Sequence, residues 1–192
     1  SGILYSFGVK SGTAYDGGIQ TISAPITPNV VLSSTNPAVP TGNLLRSSEK
    51  NVIYKFSTAI TASYATLTGV SFTTAGTYEE TDISKFQLWY NTTDNLPSAT
   101  QIGSDITLTL GAGSHTFTGL NQIINENSTG YFYITTNVNS GAIPLRNMKV
   151  SAITTGDLTY QLANKSGAAY EGGIQTILKP QFVVSSSNPA VP

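Results

Sequence analysis

The chain has 192 residues, of which 39% are hydrophobic and only 10% charged, with a formal net charge of −1 and no cysteine. This is enough length for one well-buried domain but tight for two. The near-neutral surface offers no steering field for nucleic acid or anionic membrane, and without thiols neither a disulfide framework nor a thiolate metal site can form.

From the N-terminus, "SGTAYDGGIQTI" at 11–22 is followed by a Pro-bearing stretch, "SAPITP", and by "PNVVLSSTNPAVP" at 28–40. Helical periodicity is nearly absent downstream, whereas short runs alternate apolar and polar residues between Gly, Pro, Asn and Asp. In "NVIYKFS" the alternation puts Val52, Tyr54 and Phe56 on one face and Ile53, Lys55 and Ser57 on the other. "TLTGVSFTTAG" reads as a Thr-rich strand ending in a turn at Gly76. "KFQLWYN" sets Phe86, Leu88 and Tyr90 against Gln87 and Trp89, and "DITLTLG" sets Ile106, Leu108 and Leu110 against Thr107 and Thr109. "YFYITTNV" places Phe132, Ile134 and Val138 opposite Tyr131, Tyr133 and Thr135, after which "MKVSAIT" and "DLTYQLA" lead to "SGAAYEGGIQTI" at 166–177. Roughly eight to ten short strands in this pattern predict an all-β, antiparallel two-sheet sandwich of Ig-like type, with a closed barrel as the alternative. No apolar run reaches the ~18 residues of a membrane span and no leader opens the sequence, so membrane insertion is not expected and any export signal would lie in a longer precursor.

The two closing segments match at 10 of 12 positions with an offset of 155 residues. After a length change at "SAPITP" against "LKP", "PQFVVSSSNPAVP" at 180–192 matches 28–40 at 9 of 13 positions with an offset of 152. The simplest reading is a window from a tandem array: 1–26 are terminal strands of a preceding repeat, 27–178 are one complete repeat, and 179–192 begin the next. A period near 150 is too long for a solenoid unit of ~20–50 residues, so each repeat should be a self-sufficient bead. Because the duplicated ends are chemically equivalent, they also suggest strand exchange between identical subunits, which deletion of 1–26 should abolish.

The stretch from "SSTNPAVPTGNLLRSSEKNVIYKFS" through "SKFQLWYNTTDNL", with "GSHTFTGLNQIINENSTGYFYITTNV" and "AITTGDLTY", resembles repeats of very large secreted surface proteins of Gram-negative environmental bacteria, many exported by the type IX route. The resemblance covers nearly the whole chain and implies an Ig-like sandwich used as a structural or adhesive module at the cell surface. The low-charge Ser/Thr/Asn-rich texture points the same way, toward an extracellular location.

Catalytic candidates are few. His115 is the one histidine, and it is expected at the surface or a loop edge rather than beside a nucleophile. The cluster Glu79, Glu80 and Asp82 in "TYEETD" reads as a solvated turn, with calcium binding as the alternative because hard cations take several oxygens from one loop. If their strands are neighbours, Gln87, Trp89, Tyr131 and Tyr133 form an aromatic stripe on which a sugar ring could stack; otherwise Trp89 is the buried indole of the sandwich. The paired glycines of "DGGIQ" and "EGGIQ" suggest a tight turn or a bulge, and Asn91, Asn127 and Asn164 head glycosylation sequons that carry little meaning in a bacterial protein. The expected function is therefore a non-enzymatic shaft repeat of an adhesin or filament, with a carbohydrate-binding module recognising surface glycans as the alternative. No cofactor beyond the possible calcium is expected.

Overall fold

The computed structural model describes residues 17–19 and 24–181. Most of the expected stub of a preceding repeat, and of the first strand of a following one, lies outside these residues, as does any exchange of those strands.

The described chain is all-β, with strands β1 Asn29–Ser33, β2 Gly42–Leu45, β3 Asn51–Thr61, β4 Ala65–Gly76, β5 Ile83–Asn91, β6 Thr100–Ile106, β7 Gly113–Phe117, β8 Gln122–Ile124, β9 Ser128–Val138, β10 Asn147–Val150, β11 Leu158–Tyr160, β12 Asn164–Gly167 and β13 Gln175–Leu178. They form a sandwich of two sheets. The first runs β12-β1-β3-β9-β5-β6; the second runs β11-β4-β10-β13-β2, with β7 and β8 also paired to β4. Phenylalanines bridge the layers: Phe72 of β4 meets Phe86 of β5 edge-on at 5.3 Å, while Phe56 stacks on Phe132 at 4.9 Å within the first sheet.

Alternation predicted the faces of β5 and β9 correctly, because Phe86, Leu88, Phe132 and Ile134 are all buried in the core. It fails in β3. A bulge between Val52 and Tyr54 puts both Ile53 and Tyr54 in the core and turns Val52 to the outer face, opposite Thr135. It fails again at "DITLTLG". The strand is Thr100–Ile106, and the chain then turns through Thr109 at φ 54°, leaving Leu108 exposed and Leu110 buried.

Two pairings among the described strands are parallel, and they define the molecule. β1 lies beside β12, with Asn29 opposite Asn164, and β2 lies beside β13, with Gly42 opposite Gln175. Thus the opening segment passes from the first sheet to the second, and the closing segment makes the same crossing at its side. Backbone bonds continue between the strand pairs: Ala38 N–H to the Glu171 carbonyl at 2.9 Å, Gly173 N–H to Val39 at 2.7 Å, and Gly42 N–H to Ile174 at 3.0 Å. Tyr54 pins the crossing from below by donating its hydroxyl to the Tyr170 carbonyl at 2.6 Å and accepting the Ile153 N–H at 3.0 Å. Burial of this phenol raises its pKa to about 12, the Ile153 bond acting against the shift.

The paired glycines make neither a turn nor a bulge. Gly172 and Gly173 lie in the crossing itself, where a Cβ on Gly173 would collide with the backbone of Val39, Pro40 and Thr41. Close approach of two backbones is what requires glycine here.

Candidate functional site

The stripe residues do come together, on the outer face of the six-stranded sheet. Register across β3, β9, β5 and β6 sets Lys55 opposite Tyr133, Tyr133 opposite Trp89, and Trp89 opposite Gln101; one step along, Thr135 faces Gln87, and one step the other way Tyr131 faces Asn91. Trp89 is therefore not an indole buried between the sheets; Phe86 and Leu88 fill that space.

The face is not an open platform either. Gln87 and Tyr133 are only 7% and 3% exposed. The Trp89 indole N–H donates to Thr135 Oγ1 at 2.8 Å, and the Lys50 ammonium sits 3.7 Å from the ring centroid, where the ring's negative face attracts it. Gln87 donates to Gln101 at 2.8 Å and to Asp105 at 3.1 Å, while Lys85 pairs with the other Asp105 oxygen at 2.9 Å. Tyr133 donates to Asp94 Oδ1 at 2.7 Å, and Lys55 closes on Oδ2 at 2.9 Å.

Charges follow these bonds. The hydrogen bonds from Lys55 and Tyr133 hold the Asp94 carboxyl below its ordinary value. Burial and the bond to Asp94 both push the Tyr133 phenol up. Burial alone would raise Asp105, but hydrogen bonds from Lys85, Gln101 and Gln87 outweigh it and lower its pKa. The groups that would hydrogen-bond a sugar are thus engaged within the protein. What remains open is a groove of about 580 Å³ beside them, between residues 35–40 and 94–97, with Val52, Lys55 and Tyr133 on its floor. Tyr131 lines a smaller neighbouring hollow with Ser33 and Ser34.

The acidic cluster is neither a solvated turn throughout nor a cation cage. Asp82 is 1% exposed, its Oδ1 accepting the Ile143 N–H at 2.8 Å and its Oδ2 accepting the Glu79 N–H at 2.8 Å and Arg146 at 3.1 Å. Arg146 reaches on to Glu79 at 2.6 Å, and Glu80 stands exposed outside the network. Burial would raise the Asp82 pKa, yet the two backbone donors and Arg146 win and lower it. An arginine has taken the place the calcium reading gave to a metal. Among the described residues no group of three or more His, Cys, Asp or Glu could hold a metal ion.

His115 departs furthest from expectation. It is 5% exposed, packed against Phe72 and Phe86, with Nε2 2.9 Å from Thr74 Oγ1, which in turn lies 2.6 Å from the Tyr78 hydroxyl. Antiparallel pairing sets it opposite Phe72, so "SHTF" is extended as read, with the histidine on the inner face. Burial lowers its pKa from 6.5, opposed by a bond to the Gly111 backbone. This hydroxyl–imidazole pair is sealed in the core, beyond the reach of a substrate.

Sequence reasoning missed Lys50, Asp94, Gln101 and Asp105. They come from loops and from a strand assigned elsewhere, and only the folded chain brings Lys50 and Gln101 to Trp89, Asp94 to Tyr133 and Asp105 to Gln87. No family model matches the chain, and no curated protein does. Among solved structures, similarity extends to a chain of the CaDoc0917–CaCohA2 complex, at 17% identity over 78% of this chain and 100% of that one, with a TM-score of 0.36. It extends also to a family 123 glycoside hydrolase from Clostridium perfringens, at 14% identity, 80% of this chain but 28% of that one, TM-score 0.35. A chain in the structure of the sixth cohesin of Acetivibrio cellulolyticus scaffoldin B with a Cel5 dockerin gives 15% identity, 74% and 98% coverage, and a TM-score of 0.22. Among the described residues no helix is long and apolar enough to cross a membrane.

Proposed function

We propose that this chain is a non-enzymatic structural module, one repeat from the shaft of a very large extracellular bacterial surface protein, an adhesin or a filament subunit. The observation that carries this reading is the parallel clasp. β1 and β12 run in the same direction, as do β2 and β13, so the chain enters at Asn29 at one pole of the sandwich and leaves at Leu178 at the other. Domains threaded pole to pole add their lengths, and the duplicated segments put like neighbours on both sides.

The clasp also suits a load. Tension between Asn29 and Leu178 pulls the opening and closing segments past one another, which strains their backbone bonds together, in shear, rather than one after another. Partners are then the adjoining repeats, and no chemistry is needed from the side chains. The sealed Thr74–His115 pair and the internally bonded Trp89 face favour this over catalysis or glycan binding.

Single-molecule pulling tests it. Loaded through residues 29 and 178, the domain should resist several-fold more force than when loaded through 29 and 61, which lie opposite each other at one pole and unzip. Equal forces in the two geometries would sink the shaft reading.

A further inference from the structure

Of the large exposed apolar side chains, three stand at each pole of the sandwich, while others, such as Val31, Leu108, Tyr170 and Ile174, lie elsewhere on the surface. At the exit pole Leu45, Ile143 and Leu145 stand 46%, 48% and 76% exposed around the end of β13. At the entry pole Ile26, Tyr64 and Leu162 are 67%, 60% and 49% exposed. The three entry residues, with Pro25, Pro28 and Gln161, line a notch of about 270 Å³ that contains no charged residue.

Leu145 is held in an unusual way. It has φ 68°, a left-handed conformation that bulky residues adopt only when the surroundings enforce it. Two backbone bonds enforce it: its N–H donates to the Ile177 carbonyl at 2.8 Å, and the Arg146 carbonyl accepts from the Ile177 N–H at 2.8 Å. The loop is thus stapled to β13, and it spends backbone strain to push a leucine out beside the point where the chain leaves.

The sequence repeat says what stands there. Leu178 corresponds to Ser23 in the preceding copy, so only 24–28 separate that copy's exit from Asn29; after Leu178 itself the residue that matches Asn29 is Gln181. In the joint of 24–28, the one that carries Ile26, the six residue steps from the preceding exit to Asn29 span at most ~20 Å, against ~10 Å for the three steps of the joint at 179–180. An exit pole and the following entry pole are therefore held face to face at close range.

We propose that the entry notch docks the exit pole of the preceding copy of this same fold, the Leu145 side chain seating against Ile26, Tyr64 and Leu162. The joint is heterologous: a knob on one pole meets a notch on the other, so it propagates along the array. Tethering raises the effective concentration of the two poles enough that a small apolar contact sets their angle. The shaft then owes its stiffness to the poles as well as to the prolines of the joint. This proposal rests on the tandem reading above.

The test joins residues 1–178 directly to 24–192, which reproduces the natural joint between two complete copies. Nuclear relaxation and residual dipolar couplings should report one alignment frame for both copies. Leu145→Ser in the first copy, or Tyr64→Ser in the second, should release them to tumble independently. The same substitutions in the opposite copies, Leu145 of the second and Tyr64 of the first, should leave the joint intact. Independent tumbling of the unsubstituted chain, or equal effects of both placements, overturns the joint. A precursor gene with no further copies of 27–178 would instead overturn the tandem reading.

Discussion

The two halves of the parallel clasp have the same length and opposite characters. β12 lies at a sheet edge, bonded to β1 alone, and all four of its residues are exposed. β13 lies between β10 and β2, and Gln175 and Ile177 are buried. One half is held by backbone hydrogen bonds of about 1 kcal/mol net each; the other adds a core side chain that contributes about 2–3 kcal/mol. Parallel pairing alone therefore does not decide strength. The second sheet carries the closing segment, and β12 aligns it.

The contrast is sharpest at the glycines that let the strands approach. Gly173→Ala drives a Cβ into the Val39–Thr41 backbone, which is anchored in the chain by buried Ala38 and Leu44, and should cost about 4 kcal/mol in a urea titration. Next comes Ile177→Ala, a fully buried deletion expected to cost about 3 kcal/mol by the same measurement. Gly167→Ala meets the Leu32 carbonyl at φ 85°, but β12 can peel from its edge, so the loss should stop at about 1–2 kcal/mol. Hydrogen exchange would then show the amides of β12 opening well before those of β13. If the two glycine substitutions cost the same, the halves are not mechanically distinct.

The smallest effect is one of pH, on a residue remote from the clasp. His115 is buried with its pKa below 6.5, so the unfolded chain takes up a proton before the folded one does. Its contribution is fully present above pH 6.5 and is lost as pH falls through the window beneath it. The urea midpoint should drop from pH 7 to pH 5, and His115→Gln should flatten that part of the profile. An unchanged slope would mean that other groups set it.

Local pattern carried the sandwich and little else. The alternations around Phe86 and Phe132 need only period two and a core, and both faces came out as read. The bulge at Val52 and Ile53 left no mark, because one extra residue looks like continued strand until the partner is known. Leu108 looked like core through its spacing with Ile106, yet the strand had already ended. His115 was placed by chemistry, as a polar residue, whereas the sheet placed it by register and gave it Thr74 as a partner. The Trp89 face was legible as a set of four residues but not as a closed network, since Lys50, Asp94 and Asp105 approach from elsewhere in the chain.

The repeat carried more than it first appeared to. The segments that recur, 28–40 and 166–177, are the ones that lie side by side across the two sheets. Asn29 and Asn164, which bond through their side chains at 3.3 Å, are 135 residues apart. During synthesis the opening strand can pair early with β3, but its parallel partner emerges only when almost the whole domain has been made, which makes closure of the clasp slow and late. In the proposed array every opening segment fits every closing one, so a chain made all at once could mispair along its length. Vectorial synthesis removes the ambiguity, because each closing segment appears while the other edge of its own opening strand is still open and the next opening strand has yet to be made.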